Sequence, residues 1–252
     1  MGLRRVYRKH LSYWLWRLRH PFLPFEQFYV AKVLGNIAAG RGNPALGPAA
    51  RSVRSRSEVL DVLRRHGLKP DDVVVDYGCG SLRLGLPLIE HLDHGHYWGL
   101  DVTDAFYLAG VKAIPEALLR GKRPNLRVIG ETSLNEARFQ HPRFVVSWHV
   151  CSKVPDGRLA DYLGKIFGLL GPGAQALIHF PETETRRRLS RFSLSLPRAQ
   201  FIAAAHAIDP DLEIAFAPLT AAPSKGVSQT LAVVTRPAAA TGAERKLQPA
   251  AA

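Results

Sequence analysis

Cysteine is scarce in this chain. Only Cys79 and Cys151 occur among 252 residues, their spacing fits no zinc motif, and the pair reads as reduced and cytosolic. Long apolar runs are missing as well. The opening stretch, MGLRRVYRKHLSYWLWRLRH, is broken by basic residues before any apolar segment is long enough for a secretory signal or a membrane span. Acid is the third shortage: 21 Asp and Glu face 34 Lys and Arg, a formal net charge of +13. That imbalance is silent about fold but favours anionic partners such as nucleic acid, phospholipid headgroups or acidic metabolites. What is present in ordinary amount is core: 46% of the residues are hydrophobic, normal for a globular domain.

At the N-terminus, Val6, Tyr7, Leu11, Trp14, Leu15 and Leu18 recur at helical spacing among Arg4, Arg5, Arg8, Lys9, Arg17 and Arg19. Two placements stay open, an interfacial helix on a membrane surface and an amphipathic helix docked on its own domain. Met1-Gly2 resembles a myristoylation start only superficially, because Val6 stands where serine or threonine is needed. Next, HPFLPFEQFYVAKVLGNIAAG leads into the loop-rich RGNPALGPAARS. Its aromatic and aliphatic residues lead us to expect that residues 26–52 fold back as a lid over a pocket, the alternative being docking on the domain's outer face.

Regular organisation begins at Ser55. Ser55-x-x-Glu58 has the spacing of a capping box, Val59, Leu60, Val62 and Leu63 supply an apolar face, and Gly67 stands where a helix ends. From there, candidate strands at 72–76, 96–100, 126–129, 143–147, 174–180, 212–217 and 228–235 alternate with candidate helices at 82–92, 104–119, 157–169 and 197–207. Such alternation predicts an α/β fold with a Rossmann-like, mainly parallel seven-stranded sheet and helices on both faces, preceded by an N-terminal helical extension. Pro87 interrupts the expected 82–92 helix and marks a late start or a kink. Three segments result: a basic extension over 1–57, the α/β domain over 58–236, and an aperiodic tail over 237–252 that reads as disordered.

The stretch VVVDYGCGSLRLG, residues 73–85, runs a strand through glycines into a helix. A dinucleotide site of this kind wants a third glycine at position 83, where Arg83 stands, and Asp76 would face the phosphates. Two like unit charges about 4 Å apart repel by about 1 kcal/mol in water and roughly 4 kcal/mol at an effective dielectric of 20. No G-K-[ST] follows, so a P-loop is excluded too. A cationic ligand reverses the sign of the Asp76 argument, while Gly78 and Gly80 let the backbone approach it closely.

These residues carry a family resemblance. DYGCG is similar to the first motif of class I S-adenosylmethionine-dependent methyltransferases, with Leu82 where many members have a third glycine. YWGLD, VIGET and FVVSWHVCS look like the following strand ends of that family. The resemblance spans 58–236 and implies S-adenosyl-L-methionine as cofactor. Asp76, Tyr77, Gly78 and Gly80 would form the cofactor loop, Asp101 would accept from the ribose hydroxyls, Glu131 would face the adenine amino group, and Trp148 would pack on the adenine or methionine part.

Methyl transfer is an in-line displacement in which positioning does most of the work. His149, just past the fourth strand, is a candidate base where the acceptor must lose a proton, and a solvated loop histidine is the plainer reading; His179 has a weaker claim. No Asn/Asp-Pro-Pro-aromatic run follows the fourth strand and neither cysteine follows a proline, which leaves O or N acceptors open. In ETRRRLSRF, Arg186, Arg187, Arg188 and Arg191 stand after the fifth strand, either as a solvated charge run or as a clamp for phosphate or carboxylate. The expected acceptor is a small or lipid-linked acid, with peripheral membrane contact in view. RNA, as partner or as methyl acceptor, is the alternative, although no RNA-binding module accompanies the charge.

Overall fold

A computed structural model describes residues 15–23, 25–38, 57–155, 157–190, 193–219 and 226–238. Seven strands form one sheet: β1 (Val74–Tyr77), β2 (Tyr97–Asp101), β3 (Asn125–Val128), β4 (Phe144–Ser147), β5 (Gln175–Glu182), β8 (Glu213–Pro218) and β9 (Ser228–Thr235). A separate two-stranded hairpin, β6 (Arg188–Ser190) with β7 (Ser193–Leu194), follows β5. The order across the large sheet is β3-β2-β1-β4-β5-β9-β8. Every neighbouring pair is parallel except those of β9, which runs antiparallel to both β5 and β8. β1, β2 and β4 are buried at every residue, as strands covered on both faces must be. The edge strands β3 and β8 are half exposed.

Helices cover both faces. On one side α2 (Glu58–Arg65) and α3 (Gly85–His91) bury Val59, Leu63, Leu88 and Ile89 against Val74, Val146 and Leu177. On the other side α7 (Leu159–Phe167) and α8 (Arg198–His206) bury Leu163, Phe167 and Phe201 against Val75, Val145 and Ile178. Within α7 the buried residues Leu159, Tyr162, Leu163, Ile166 and Phe167 repeat at three and four, which is why this segment is a helix and which face it turns inward. Between the strands lie α4 (Asp104–Val111), α5 (Glu116–Lys122) and α6 (Glu131–Phe139).

The Ser55 of the expected capping box lies outside the described residues; α2 starts at Glu58 with Ser57 as an N-cap that forms no side-chain bond. Its other end is as expected, since Gly67 (φ +85°) donates to Arg64 and Leu68 donates to Leu63, the paired bonds of a glycine-terminated helix. The 82–92 segment starts late, at Gly85, which places Pro87 in the first turn, where its missing N–H costs nothing. The single helix expected over 104–119 is two, because Pro115 caps α5 instead of continuing α4. α6 and the β6–β7 hairpin were not anticipated.

Before the domain, α1 (Phe25–Ala38) buries Phe28 against Trp16, ring centroids 5.4 Å apart. Residues 1–14 of the basic stretch, 39–52 of the expected lid with 53–56 after it, and 239–252 of the tail lie outside the described residues.

Candidate functional site

After β1 the chain leads sideways to β2 and β3, and only then returns to β4 on the other flank of β1. The carboxyl ends of β1 and β4 therefore bound a crevice, the place where open α/β sheets hold ligands. Gly78 turns out of β1 at φ +88°, and its amide, with that of Cys79, donates to the Leu100 carbonyl at 2.7 and 3.1 Å. A Cβ on Gly78 would overlap a methyl of Val150, from the chain just past β4. Loop and crevice wall are thus in contact, and glycine is required on two counts, its backbone angle and the lack of space. Leu82 adopts φ +58° with its side chain only 1% exposed. A glycine-like backbone is held there by a residue anchored in the core.

Asp101 ends β2 with its carboxylate held by two amides, Gly80 to Oδ2 and Val102 to Oδ1, both at 2.7 Å. Each oxygen keeps a further lone-pair direction. Asp76 turns to the α3 side, where the Tyr97 hydroxyl donates to Oδ2 at 2.8 Å. Gly85 makes this bond possible, because a Cβ there would overlap the hydroxyl and stand 3.3 Å from the carboxylate. The two aspartates are 5% and 6% exposed, and neither pairs with a basic side chain among the described residues. Burial raises Asp76 to about 7, against the Tyr97 bond and with a smaller push from the Asp101 charge. It raises Asp101 to about 6, against its two amide bonds.

Tyr77 contributes backbone only. Its ring lies in the core, edge-on to Tyr162 at 5.8 Å, and its carbonyl accepts from Ser147 Oγ, which itself accepts from the Tyr162 hydroxyl. Glu131 is exposed at the first turn of α6, next to Gly130 and the end of β3. Ile129, two residues earlier, donates to the Asp101 carbonyl, so Glu131 and Asp101 stand at the same sheet edge.

Past β4, Trp148 is 5% exposed and stacks on His179 at 5.3 Å. Its buried indole N–H has no full hydrogen bond, with the Glu58 carboxyl facing it. His149 takes a left-handed backbone (φ +60°) and sets its ring edge-on to His179 at 4.3 Å. The His149 amide approaches His179 Nδ1 at 3.3 Å, and His179 Nε2 lies 2.9 Å from Gln229 Oε1. An acceptor at Nδ1 requires the proton at Nε2, donated to Gln229. With both nitrogens engaged and burial lowering it to about 4, His179 orients its neighbours and leaves the weaker claim to basicity unsupported. His149 is exposed at the crevice; the surrounding walls, then the charges of His179, Arg83 and Lys153, hold its imidazole below the ordinary value.

The arginine run divides. Arg186 reaches the Val154 carbonyl at 3.4 Å beside the crevice, Arg187 reaches the Gly226 carbonyl at 3.4 Å, and Arg188 is exposed in β6. Arg191 lies outside the described residues. Sequence reasoning missed Tyr97, Gly85, Glu58, Arg83 and Lys153. Of these Tyr97 was traceable, since strand alternation puts it on the same face as Gly99, the register partner of Asp76.

No family model matches the chain. Among solved structures, magnesium protoporphyrin IX methyltransferase from Synechocystis PCC 6803, with bound S-adenosylhomocysteine, superposes with a TM-score of 0.60 at 15% identity, covering 83% of this chain and 99% of that one. The glycopeptide N-methyltransferase MtfA complexed with sinefungin gives 0.54 at 13% identity, covering 72% and 94%. The [4+2]-cyclase SpnF gives 0.57 at 10% identity, covering 73% and 82%. At these identities the likeness is one of architecture, and together with the sheet order it establishes that the chain has the class I, Rossmann-like methyltransferase fold.

Proposed function

We propose that the protein is an S-adenosyl-L-methionine-dependent methyltransferase acting on an O or N atom of a small or lipid-linked acidic acceptor. One observation carries the reading: two carboxylates are buried at adjacent strand ends, beneath a glycine loop, with no basic side chain paired to either among the described residues. Leaving a charge in such a place is costly unless a partner arrives. A ligand with cationic groups and a diol suits both, and a phosphate suits neither. Because a [4+2]-cyclase shares the fold, architecture alone does not select methyl transfer.

Bound S-adenosyl-L-methionine would supply an electrophilic methyl group. On this reading Asp101 accepts from the ribose hydroxyls with the lone pairs its amides leave free, and Glu131 meets the adenine edge. Asp76 opposes the cationic end, the backbone of Tyr77, Gly78 and Gly80 lines the approach, and Trp148 gives a flat wall held by His179. His149, neutral at pH 7, takes a proton only from an acceptor that must lose one during attack. Arg186, Arg187 and Arg188 favour an acidic acceptor. Isothermal titration of the full chain with S-adenosylmethionine and S-adenosylhomocysteine tests the cofactor, and no heat from folded protein would refute it. Heat without label transfer from methyl-labelled cofactor into acidic metabolites or lipid extract would leave a binding protein of this fold.

The lipid-linked variant has its own support. Leu18 and Phe22 are 75% and 96% exposed beside Arg17 and Arg19, while Trp16 turns inward onto Phe28. Exposed apolar side chains flanked by arginine suit an anionic lipid surface.

A further inference from the structure

We infer that Gly110 is a positioning residue for Asp101: by letting α4 seat against the Ser81 carbonyl, it holds the glycine loop where the Gly80 amide meets the carboxylate. That Asp101 serves a cofactor ribose rests on the proposed function; its support by α4 stands on the backbone contact.

α4 starts just after Asp101 and turns Phe106, Tyr107 and Gly110 inward as its buried face. A Cβ on Gly110 would overlap the carbonyl of Ser81, in the glycine loop. Among the described helices it is the one glycine whose added methyl would strike the backbone of another segment. At Gly121 in α5 and Gly164 in α7 a Cβ would meet open space. Glycine is a poor helix former, so helix formation alone favours alanine at such positions. At Gly110 the close approach is what requires glycine. Tyr107, on the same face, shares its buried cluster with Cys79 and Leu82, the residues that flank the centre of the loop.

The loop carries that contact to Asp101. The Leu82 amide donates to the Cys79 carbonyl at 3.0 Å, so residues 79–82 form a closed turn with Gly80 and Ser81 at its centre. One end is tied by the Cys79 amide to the Leu100 carbonyl at 3.1 Å, the other by the Leu82 side chain in the core. With both ends fixed and each peptide group planar, Ser81 shifts only if the other peptide groups of the turn rotate. One of these bears the Gly80 amide, which donates to Asp101 Oδ2 at 2.7 Å. A single stretch of chain therefore aims Asp101 twice. Before α4, the Val102 amide holds Oδ1 at 2.7 Å; at its far end, Gly110 backs the loop that holds Oδ2. Burial raises Asp101 to about 6 against the pull of these two amides, so its titration reports whether the Gly80 amide is in place.

The full chain is titrated with no S-adenosyl compound present, so that failure of cofactor binding leaves the result readable. Asp101 is followed by its carboxyl carbon resonance, identified by its loss in Asp101→Asn. Gly110→Ala should raise the Asp101 pKa by about one unit, the share of one amide bond to a carboxylate. Phe167→Leu loosens the core under α7, on the other face of the sheet, and should be destabilised without moving Asp101. An unmoved Asp101 in folded Gly110→Ala overturns the role. So does an equal shift in Phe167→Leu, which would reduce it to general stability. Hydrogen exchange in the wild type serves where Gly110→Ala does not fold: the Gly80 amide should be no better protected than the amides of α4, because opening α4 frees the loop. A Gly80 amide still protected after those of α4 have exchanged overturns the inference. Asp101 shifted in Gly110→Ala with S-adenosylhomocysteine binding unchanged would refute the ribose role and leave the support by α4 standing.

Discussion

The Tyr97 hydroxyl donates to the Asp76 carboxylate at 2.8 Å across the space that Gly85 leaves open. Tyr97 begins β2 and Asp76 stands near the end of β1, so the phenol spans much of the strand's length to reach it. That bond holds a carboxylate whose burial raises it to about 7. A carboxyl with a raised folded value retains a proton that the unfolded chain releases. Its stabilising contribution is complete below the ordinary 3.8 and is lost as pH rises towards 7. Asp76→Asn keeps an acceptor for Tyr97 and removes the charge. In the ligand-free state this variant should resist urea better than the wild type at pH 8, with the difference shrinking by pH 5, while its affinity for S-adenosylmethionine falls. A variant less stable than the wild type at pH 8 would contradict the burial account.

Ligand affinity should move the opposite way with pH. Both acids must ionise to meet a cation and a diol, and their values lie near 7 and 6. Calorimetry with S-adenosylmethionine should therefore show binding at least tenfold weaker at pH 5 than at pH 7.5, most of the change falling between pH 5.5 and 7. Asp101→Ala should cost about 1–3 kcal/mol, the usual loss for hydrogen bonds to a charged group. A flat pH profile, or an unchanged affinity in that variant, removes the ionic role.

Much of the frame was legible because buried strands declare themselves. VVVDY, YWGLD and FVVSW are runs that only a doubly covered sheet tolerates, and each lies within two residues of its observed place. The acids at the ends of β1 and β2 were legible for the same reason. α6 was not, since ETSLNEARF buries only Ser133 and Ala137 and shows little apolar face. The hairpin after β5 was hidden in a charge run that reads as solvated or as an anion clamp.

The contact of Gly78 with Val150 can be isolated by a double-mutant cycle. Gly78→Ala adds a methyl that overlaps Val150 and forces an L-residue into φ +88°. The angle alone costs about 1–2 kcal/mol, and overpacking adds about 1–3 kcal/mol. Val150→Ala in the same chain should recover the second part and leave the first. Strict additivity of the two substitutions in denaturation experiments would mean that loop and turn do not touch.

Leu82→Gly sets two effects against each other. Relief of the left-handed backbone favours glycine by about 1–2 kcal/mol. Loss of a side chain that is 1% exposed costs more, about 3–5 kcal/mol for removing a buried leucine. Packing should win, giving a variant destabilised by roughly 1–4 kcal/mol. If denaturation shows Leu82→Gly to be the more stable protein, the side chain is not the anchor of this loop.

The face displayed by Leu18 and Phe22 is tested with vesicles. Burying a large apolar side chain contributes about 1.5–3 kcal/mol, and each basic residue near an anionic surface adds about 1 kcal/mol. Both side chains are exposed, so Leu18→Ser with Phe22→Ser should leave the unfolding transition within about 0.5 kcal/mol of the wild type. In flotation with phosphatidylglycerol vesicles the wild type should rise and the double variant should largely remain below. Phosphatidylcholine vesicles should carry less of either, since they lack the charge that Arg17 and Arg19 meet. Equal flotation of variant and wild type would show that this face is not the anchor. Wild-type protein displaced from the vesicles by RNA at low molar excess would instead give the basic surface to nucleic acid.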